Sequence, residues 1–324
     1  MTGRFVKPAN ALKSGFMYVK SSFTRKPAHP AMPLFISTEL TNHCNLKCPE
    51  CPSGSGAMTR KRGYMDIGLF HKIVDELNPY LYGINLFFQG EPMMHPDFFS
   101  FLEKRGKHRL TVSTNGHFLS PESAVRIVRS GLGKLTVSLD GMDQDTYSAY
   151  RRNGDFGKVI NGIRNTALAK RRYMSDLKIE IQFLVNKKNE HQIPDIKRFS
   201  HEVNASLKLK SMQIQNICDI EMWLPSSERF RRYVKKDGDF HIRNPLPDRC
   251  ERLWFNPVVI WDGRVVPCCF DKDAKYVMGD LNKDSFKDIW NSDRYHEFRK
   301  HVFSDRNSID MCRNCTSGLR GVRF

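Results

Sequence analysis

The chain has no long apolar run. Nothing in its 324 residues approaches the ~18 consecutive apolar residues of a membrane span, and the N-terminus lacks the apolar core of a secretion signal. Both absences predict a cytoplasmic, reduced protein. Acidic residues are scarce: 35 Asp and Glu face 52 Lys and Arg, a net charge of +17, and six Lys/Arg precede the first acid, Glu39. The basic residues are scattered, and neither a nucleic-acid motif nor a run of aromatics interleaved with Lys/Arg appears, so nucleic acid is not an expected partner. The charge suits a solubilising surface, an acidic substrate or an anionic membrane. Repeats and low-complexity segments are absent, and the length allows one large domain plus a small one.

A fourth cysteine is also missing where one would be sought. "CNLKCPEC" places Cys44, Cys48 and Cys51 close together and alone. A structural zinc ion takes four protein ligands, and a disulfide framework takes an even number in an oxidising compartment. His43 adjoins Cys44, which is poor geometry for one tetrahedral ion. Three thiolates suit a metal cluster that keeps one coordination position open.

What the sequence does have is alternation. Runs rich in β-formers ("LFISTEL", "GINLFFQ", "RLTVST", "KLTVSL", "KIEIQFLV", "SMQIQNI") alternate with helical stretches such as "DIGLFHKIVDEL", "SPESAVRIVRSG" and "FGKVINGIRNTALAKRR". A further connection, "IPDIKRFSHEV", starts at a proline suited to a first helical turn. Six strand–helix repeats predict an α/β fold with a parallel sheet and right-handed crossovers. Polar signatures follow four successive strands: "TNHC", "GEP", "TNG" and "DG". Chemistry at several strand ends is the habit of a barrel, whereas a dinucleotide fold loads one crevice. The expected fold is therefore a partial (β/α)6 TIM-like barrel, followed by a small C-terminal domain that carries five of the nine cysteines.

The expected organisation is a basic N-terminal extension over 1–31, the barrel over 32–225, a linker over 226–247 and the C-terminal domain over 248–324. In the extension, Leu12, Phe16, Val19 and Phe23 make one apolar stripe of a candidate amphipathic helix. Such a stripe is expected to pack on the main domain; contact with a membrane surface is the alternative. The linker is read from its basic, Gly- and Pro-containing composition.

The motifs resemble the radical S-adenosylmethionine (SAM) superfamily. The C-x3-C-x2-C spacing follows the first strand, "QGEP" at Gln89–Pro92 resembles the family's GGEP motif, and "STNG" and "SLDG" are similar to its third and fourth strand ends. The C-terminal part resembles a SPASM domain in its truncated, Twitch-like form. Cys250 precedes Cys268 by 18 residues with Gly263 between them, and "CRNC" follows with Cys312 and Cys315; the spacing is similar to that of an aminocyclitol dehydrogenase of the family. The resemblance implies two 4Fe–4S clusters. Cys44, Cys48 and Cys51 would hold the SAM-binding one, and Cys250, Cys268, Cys312 and Cys315 an auxiliary one, with Cys269 as a buried neighbour and Cys218 as a small core residue without a role. It implies S-adenosyl-L-methionine as cofactor, with Gly90 and Glu91 at its amino group, Arg151 at its carboxylate, Asn115 near its ribose and Ser138 at a polar group. Asp140 is read as organising its own turn. Glu50 departs from the aromatic residue the family often has there. Leu281, Ile289 and Trp290 are read as packing.

The implied activity is that of an oxidoreductase: reductive cleavage of SAM to a 5′-deoxyadenosyl radical, then hydrogen abstraction leading to two-electron oxidation of a sugar- or cyclitol-like small molecule. The alternative is radical modification of a peptide or protein side chain; a non-catalytic zinc- or nucleic-acid-binding protein is a distant third. An electron donor such as flavodoxin or ferredoxin is the implied partner. If Gln182 faces inward on the fifth strand, so does Glu180, the candidate base; Gln213 and Gln215 would share a face of the sixth. Arg249 and Arg252 are expected to raise the auxiliary cluster's potential.

Overall fold

The computed structural model describes residues 5–28, 30–103, 108–243 and 246–315. Six parallel strands lie side by side in chain order: β1 (Phe35–Thr38), β2 (Gly83–Asn85), β3 (Arg109–Thr114), β4 (Lys134–Ser138), β5 (Lys178–Val185) and β6 (Ser206–Ser211). β5 shows why the sequence folds this way. Ile179, Ile181, Phe183 and Val185 alternate into the apolar layer beneath the helices, and Glu180, Gln182 and Leu184 point to the other face. Register carries this polar face across the sheet: Thr136, Glu180 and Ser206 form one row, and Ser138, Gln182 and Lys208 the next.

The crossover helices carry their own start signals. Asp66, Ser120 and Asp155 cap helices Ile67–Leu77, Pro121–Arg129 and Phe156–Arg172 by accepting from backbone N–H groups in the first turn. Lys170, Arg171 and Arg172 end the last of these, where positive charge suits the helix dipole.

The C-terminal region continues the barrel sheet. β9 (Val258–Val259) pairs in parallel with β1, and β10 (Arg264–Val266) and β11 (Gly279–Asp280) extend the sheet antiparallel. Trp254 and Trp290 are fully buried, and Arg299 lies 4.4 Å from the ring centre of Trp290 and 4.0 Å from that of Tyr295. Trp290 Nε1 donates to Ala31 O at 2.9 Å. Leu281, Ile289 and Trp290 are all buried, in packing roles.

Three expectations differ from what is found. The sixth strand is "SLKLKS", not "SMQIQNI", so Gln213 and Gln215 follow the strand rather than lie on it. Lys208 and Lys210 make that run look like surface, but the wall they belong to is polar. The stretch 226–247 includes a hairpin, β7 (Tyr233–Lys236) and β8 (Asp239–Ile242), with Arg232 and Tyr233 buried. Its turn is Asp237–Gly238, both at positive φ (51° and 90°), the backbone that Asp-Gly favours in a two-residue hairpin loop. Helix α1 (Val6–Thr24) forms as expected, but its apolar stripe faces outward. Among the described residues no helix is long and apolar enough to cross a membrane.

Candidate active site

The loop after β1 is fixed before it reaches its cysteines. Glu39 is buried and bound by Arg60, whose Nη1 donates to Oε2 at 2.7 Å while Nε donates to Lys272 O at 3.0 Å. Asn42 Nδ2 donates to Lys61 O at 2.9 Å and its Oδ1 accepts from Gly63 N at 3.0 Å, pinning the loop to the returning chain. Cys48 is buried; Cys44 and Cys51 are half-buried. Two glycines allow the close approach. A Cβ on Gly54 would stand 2.6 Å from Cys48 N, and one on Gly90, at φ +75°, 2.5 Å from Thr41 O.

The ends of β2, β3 and β4 meet this loop. Glu91 N donates to His43 O at 2.8 Å. The Glu91 carboxylate is buried and accepts from Thr114 Oγ1 at 2.7 Å, Asn115 N at 2.6 Å and Met93 N at 3.1 Å. Burial pushes its pKa up to about 7 against those donors. Glu91 thus ties strand ends together with both oxygens engaged. Asn115 Nδ2 donates to Asn45 Oδ1 at 2.7 Å, inside the cysteine loop. Arg151 Nε donates to Asp140 Oδ2 at 2.6 Å, and its Nη1 lies 4.0 Å from Cys48 Sγ. Asp140 Oδ1 also accepts from Leu184 N at 2.6 Å, so it holds Arg151 to β5 rather than only shaping its own turn. Ser138 is buried in the row containing Gln182.

The second cysteine set is more enclosed. Cys250, Cys268, Cys312 and Cys315 are all buried. Cys268 lies within electrostatic reach of Cys250 and Cys315, and Cys312 of Cys250 and Cys315. Arg306 Nη2 donates to Cys315 Sγ at 3.4 Å, and Arg252 Nη1 to the half-buried Cys269 Sγ at 3.4 Å. Sequence reading pointed to Arg249 and Arg252 and missed Arg306, which is buried fifty-seven residues further along the chain than Arg249. Cys218, expected in the core, is exposed on the turn Ile217–Asp219.

Both sets have the donor chemistry of iron–sulfur ligands. Burial pushes Cys44 up to about 12, and Cys48 and Cys312 to about 11. Such thiols ionise when a bound metal compensates the charge. Among the described residues no three His, Cys, Asp or Glu side chains are grouped to share one metal ion.

One cavity of about 620 Å³ is lined by Cys48 and Cys51 and also by Cys269, so both cysteine-bearing regions open onto it. Its wall includes Lys208 and Lys210 of β6, Lys272, Arg232, Arg252 and Arg151, against a single carboxylate among the described residues, Glu50. Burial, then the neighbouring Lys208, lowers Lys210 to about 8. Lys272 Nζ donates to Gln213 Oε1 at 3.1 Å. Glu50 is buried; its Oε2 accepts from the backbone N–H groups of Gln215 and Asn216, and its Oε1 has no hydrogen-bond partner among the described residues. Glu180 does not line this cavity. It is bound by Lys134 Nζ at 2.8 Å and Thr136 Oγ1 at 3.2 Å, as a structural ion pair.

The family model of the radical SAM superfamily matches residues 38–199, half of the chain, and that of an iron–sulfur cluster-binding domain, SPASM, matches residues 250–316. Mycofactocin maturase MftC of Mycobacterium tuberculosis is 25% identical over 321 residues, covering 90% of this chain and 79% of the relative. The tungsten-containing aldehyde ferredoxin oxidoreductase cofactor-modifying protein of Pyrococcus furiosus is 27% identical over 323 residues, covering 87% of each. In fold, the chain is similar to BtrN in complex with AdoMet and 2-DOIA (TM-score 0.57, 20% identity, 88% of this chain and 93% of that one). It is also similar to Streptococcus suis SuiB bound to precursor peptide SuiA (TM-score 0.62, 14% identity, 97% and 75%).

Proposed function

This chain belongs to the radical SAM superfamily, and on that premise we propose that it oxidises an acidic peptide or protein segment by two electrons in the cavity lined by Cys48, Cys51 and Cys269. The cofactors are S-adenosylmethionine and two 4Fe–4S clusters, one SAM-binding and one auxiliary. Cys44, Cys48 and Cys51 would hold the first, and Cys250, Cys268, Cys312 and Cys315 the second. With SAM bound, the first cluster supplies a 5′-deoxyadenosyl radical on receiving one electron, for which flavodoxin or ferredoxin is the donor of suitable kind.

The protein's own residues aim and enclose this chemistry. Arg151, held by Asp140 beside Cys48, offers a charged donor to the SAM carboxylate. The Gly90 carbonyl would accept from the SAM amino group, in a strand end that Glu91 keeps in place. Asn115 and Ser138 serve the ribose and a further polar group. Arg252 and Arg306 donate to cysteine sulfurs, leaving Lys208, Lys210 and Lys272 on the cavity wall to attract a substrate carboxylate. Lys210, at about 8, keeps its charge near neutral pH and so joins Lys208 and Lys272 in attracting the carboxylate, while Glu180, tied to Lys134 and Thr136, is not placed to take a proton.

The observation that carries the reading is the shared, cation-lined cavity. The maturase name of MftC and the precursor peptide bound to SuiB support a peptide. Likeness to BtrN in chain length and fold favours the second reading, oxidation of a sugar- or cyclitol-like molecule. The test is to add size-separated extracts of the producing cells to the reconstituted enzyme with SAM and reductant, following 5′-deoxyadenosine and product mass. The expected result is stimulation by a peptide fraction, one 5′-deoxyadenosine per turnover and a product two hydrogens lighter. Stimulation by the small-molecule fraction alone overturns the peptide reading, and a product of unchanged mass overturns the oxidation.

A further inference from the structure

α1 packs on the body with its polar side. Asn10, Ser14 and Ser21 are its buried residues. Asn10 exchanges two hydrogen bonds with the backbone of Met32, at 2.8 and 3.0 Å, and Ser21 Oγ accepts from Ala28 N at 2.9 Å. Tyr18 meets Trp254 and Phe255 edge-on, each at 5.7 Å. These bonds fix which face turns inward, and the opposite face is left apolar. Leu12 is 77% exposed, Phe16 63%, Val19 50% and Phe23 84%. At 3.6 residues per turn the four fall within roughly 60° of arc and extend about 16 Å along the axis.

Scattered exposed apolar residues need no explanation, but four large ones on one line mark an interaction surface. The charges around the line select the partner. Lys13 and Lys20 lie along one edge of the stripe, at ~80–100° from Leu12 on the same helical geometry, and α1 contains no Asp or Glu. A second copy pairing through α1 would bring lysines near lysines with no acid on the helix to offset them. Anionic lipid headgroups offset them directly, and a basic helix with an apolar face lies in the plane of such a membrane.

We propose that α1 docks the enzyme on an anionic lipid bilayer, with Leu12, Phe16, Val19 and Phe23 inserted at the acyl boundary and Lys13 and Lys20 among the headgroups. The site is independent of the cavity and of the reaction assigned to it.

The test is co-sedimentation of the full chain with vesicles of mixed phosphatidylglycerol and phosphatidylcholine, compared with phosphatidylcholine alone. Binding is expected to the anionic vesicles only and to weaken with salt. The double variant Phe16→Ser/Phe23→Ser is expected to lose at least tenfold in binding, and Lys13→Glu/Lys20→Glu several-fold, with SAM cleavage in solution unchanged for both. The substituted groups are exposed, so the fold does not depend on them. Failure of the wild-type chain to sediment with anionic vesicles overturns the proposal. So does equal binding by the Phe16/Phe23 variant, or a concentration-dependent dimer that this variant dissolves while lipid binding is absent.

Discussion

The loop that carries Cys44, Cys48 and Cys51 and the region that carries Cys250, Cys268, Cys312 and Cys315 hold the same kind of side chain in opposite settings. The first has three thiols, two of them half-buried, at the edge of the cavity. Its nearest guanidinium, Arg151, is already committed to Asp140. The second has four thiols, all buried, with Arg306 donating to one sulfur and Arg252 to the adjacent Cys269. Three ligands and open access suit an iron that must take a further ligand. Four ligands and nearby cations suit a closed centre that accepts an electron, because positive charge and hydrogen bonds to sulfur raise a cluster's potential. On the proposed reading, count, burial and neighbouring charge set the same residue type to two tasks.

The severest way to break this contrast is to remove one side of it. Cys44→Ala/Cys48→Ala/Cys51→Ala is expected to abolish SAM cleavage while about half of the iron stays bound, one of the two clusters of the family. Iron analysis and chromatography of 5′-deoxyadenosine check this; loss of nearly all iron with the fold intact would show that the two sets are not separate sites. Next in size is the anchor of Arg151. A hydrogen bond to a charged group contributes about 1.5–3 kcal/mol, so Asp140→Asn or Arg151→Gln is expected to weaken SAM binding by roughly 10- to 150-fold. Equilibrium binding of SAM to the reconstituted protein measures it.

A smaller effect tests the second setting. Arg252→Met is expected to lower the auxiliary cluster's potential by tens of millivolts, about 59 mV being a tenfold change for one electron, as read by a redox titration followed by EPR. An unchanged potential would remove the guanidinium from the account. The smallest expected effect concerns the cavity between the two. Lys210 is protonated below about pH 8 and loses its charge above it. Affinity for an acidic substrate is therefore expected to fall a few-fold from pH 7 to 9, and Lys210→Arg to flatten that profile. A profile unaltered by the substitution would take Lys210 out of substrate binding.

The parts of this site legible in the sequence are those whose chemistry is local. "CNLKCPEC" carries its spacing within eight residues, and "KIEIQFLV" shows its alternation directly. What stayed hidden depends on distant partners. Asp140 reads as a turn residue until Arg151 and Leu184 N are seen to meet it. Glu50 reads as an odd replacement until its carboxylate is found on the backbone of Gln215 and Asn216, more than 160 residues away. The apolar alternation of "SMQIQNI" points to a sixth strand there, whereas the strand that forms, "SLKLKS", turns Lys208 and Lys210 to a polar wall. Apolar stripes usually turn inward, yet in α1 the hydrogen bonds of Asn10 and Ser21 turned the other face in. The hairpin in the basic stretch was announced by Asp237–Gly238, but Pro and charge around it suggested a linker.

EPR of the reduced, reconstituted protein with and without SAM tests the contrast between an open and a closed centre most directly. The account predicts two 4Fe–4S signals, of which SAM shifts only one, and that one is absent from the Cys44/Cys48/Cys51 triple alanine variant. A single signal, or a SAM-induced shift that persists in the variant, would contradict it.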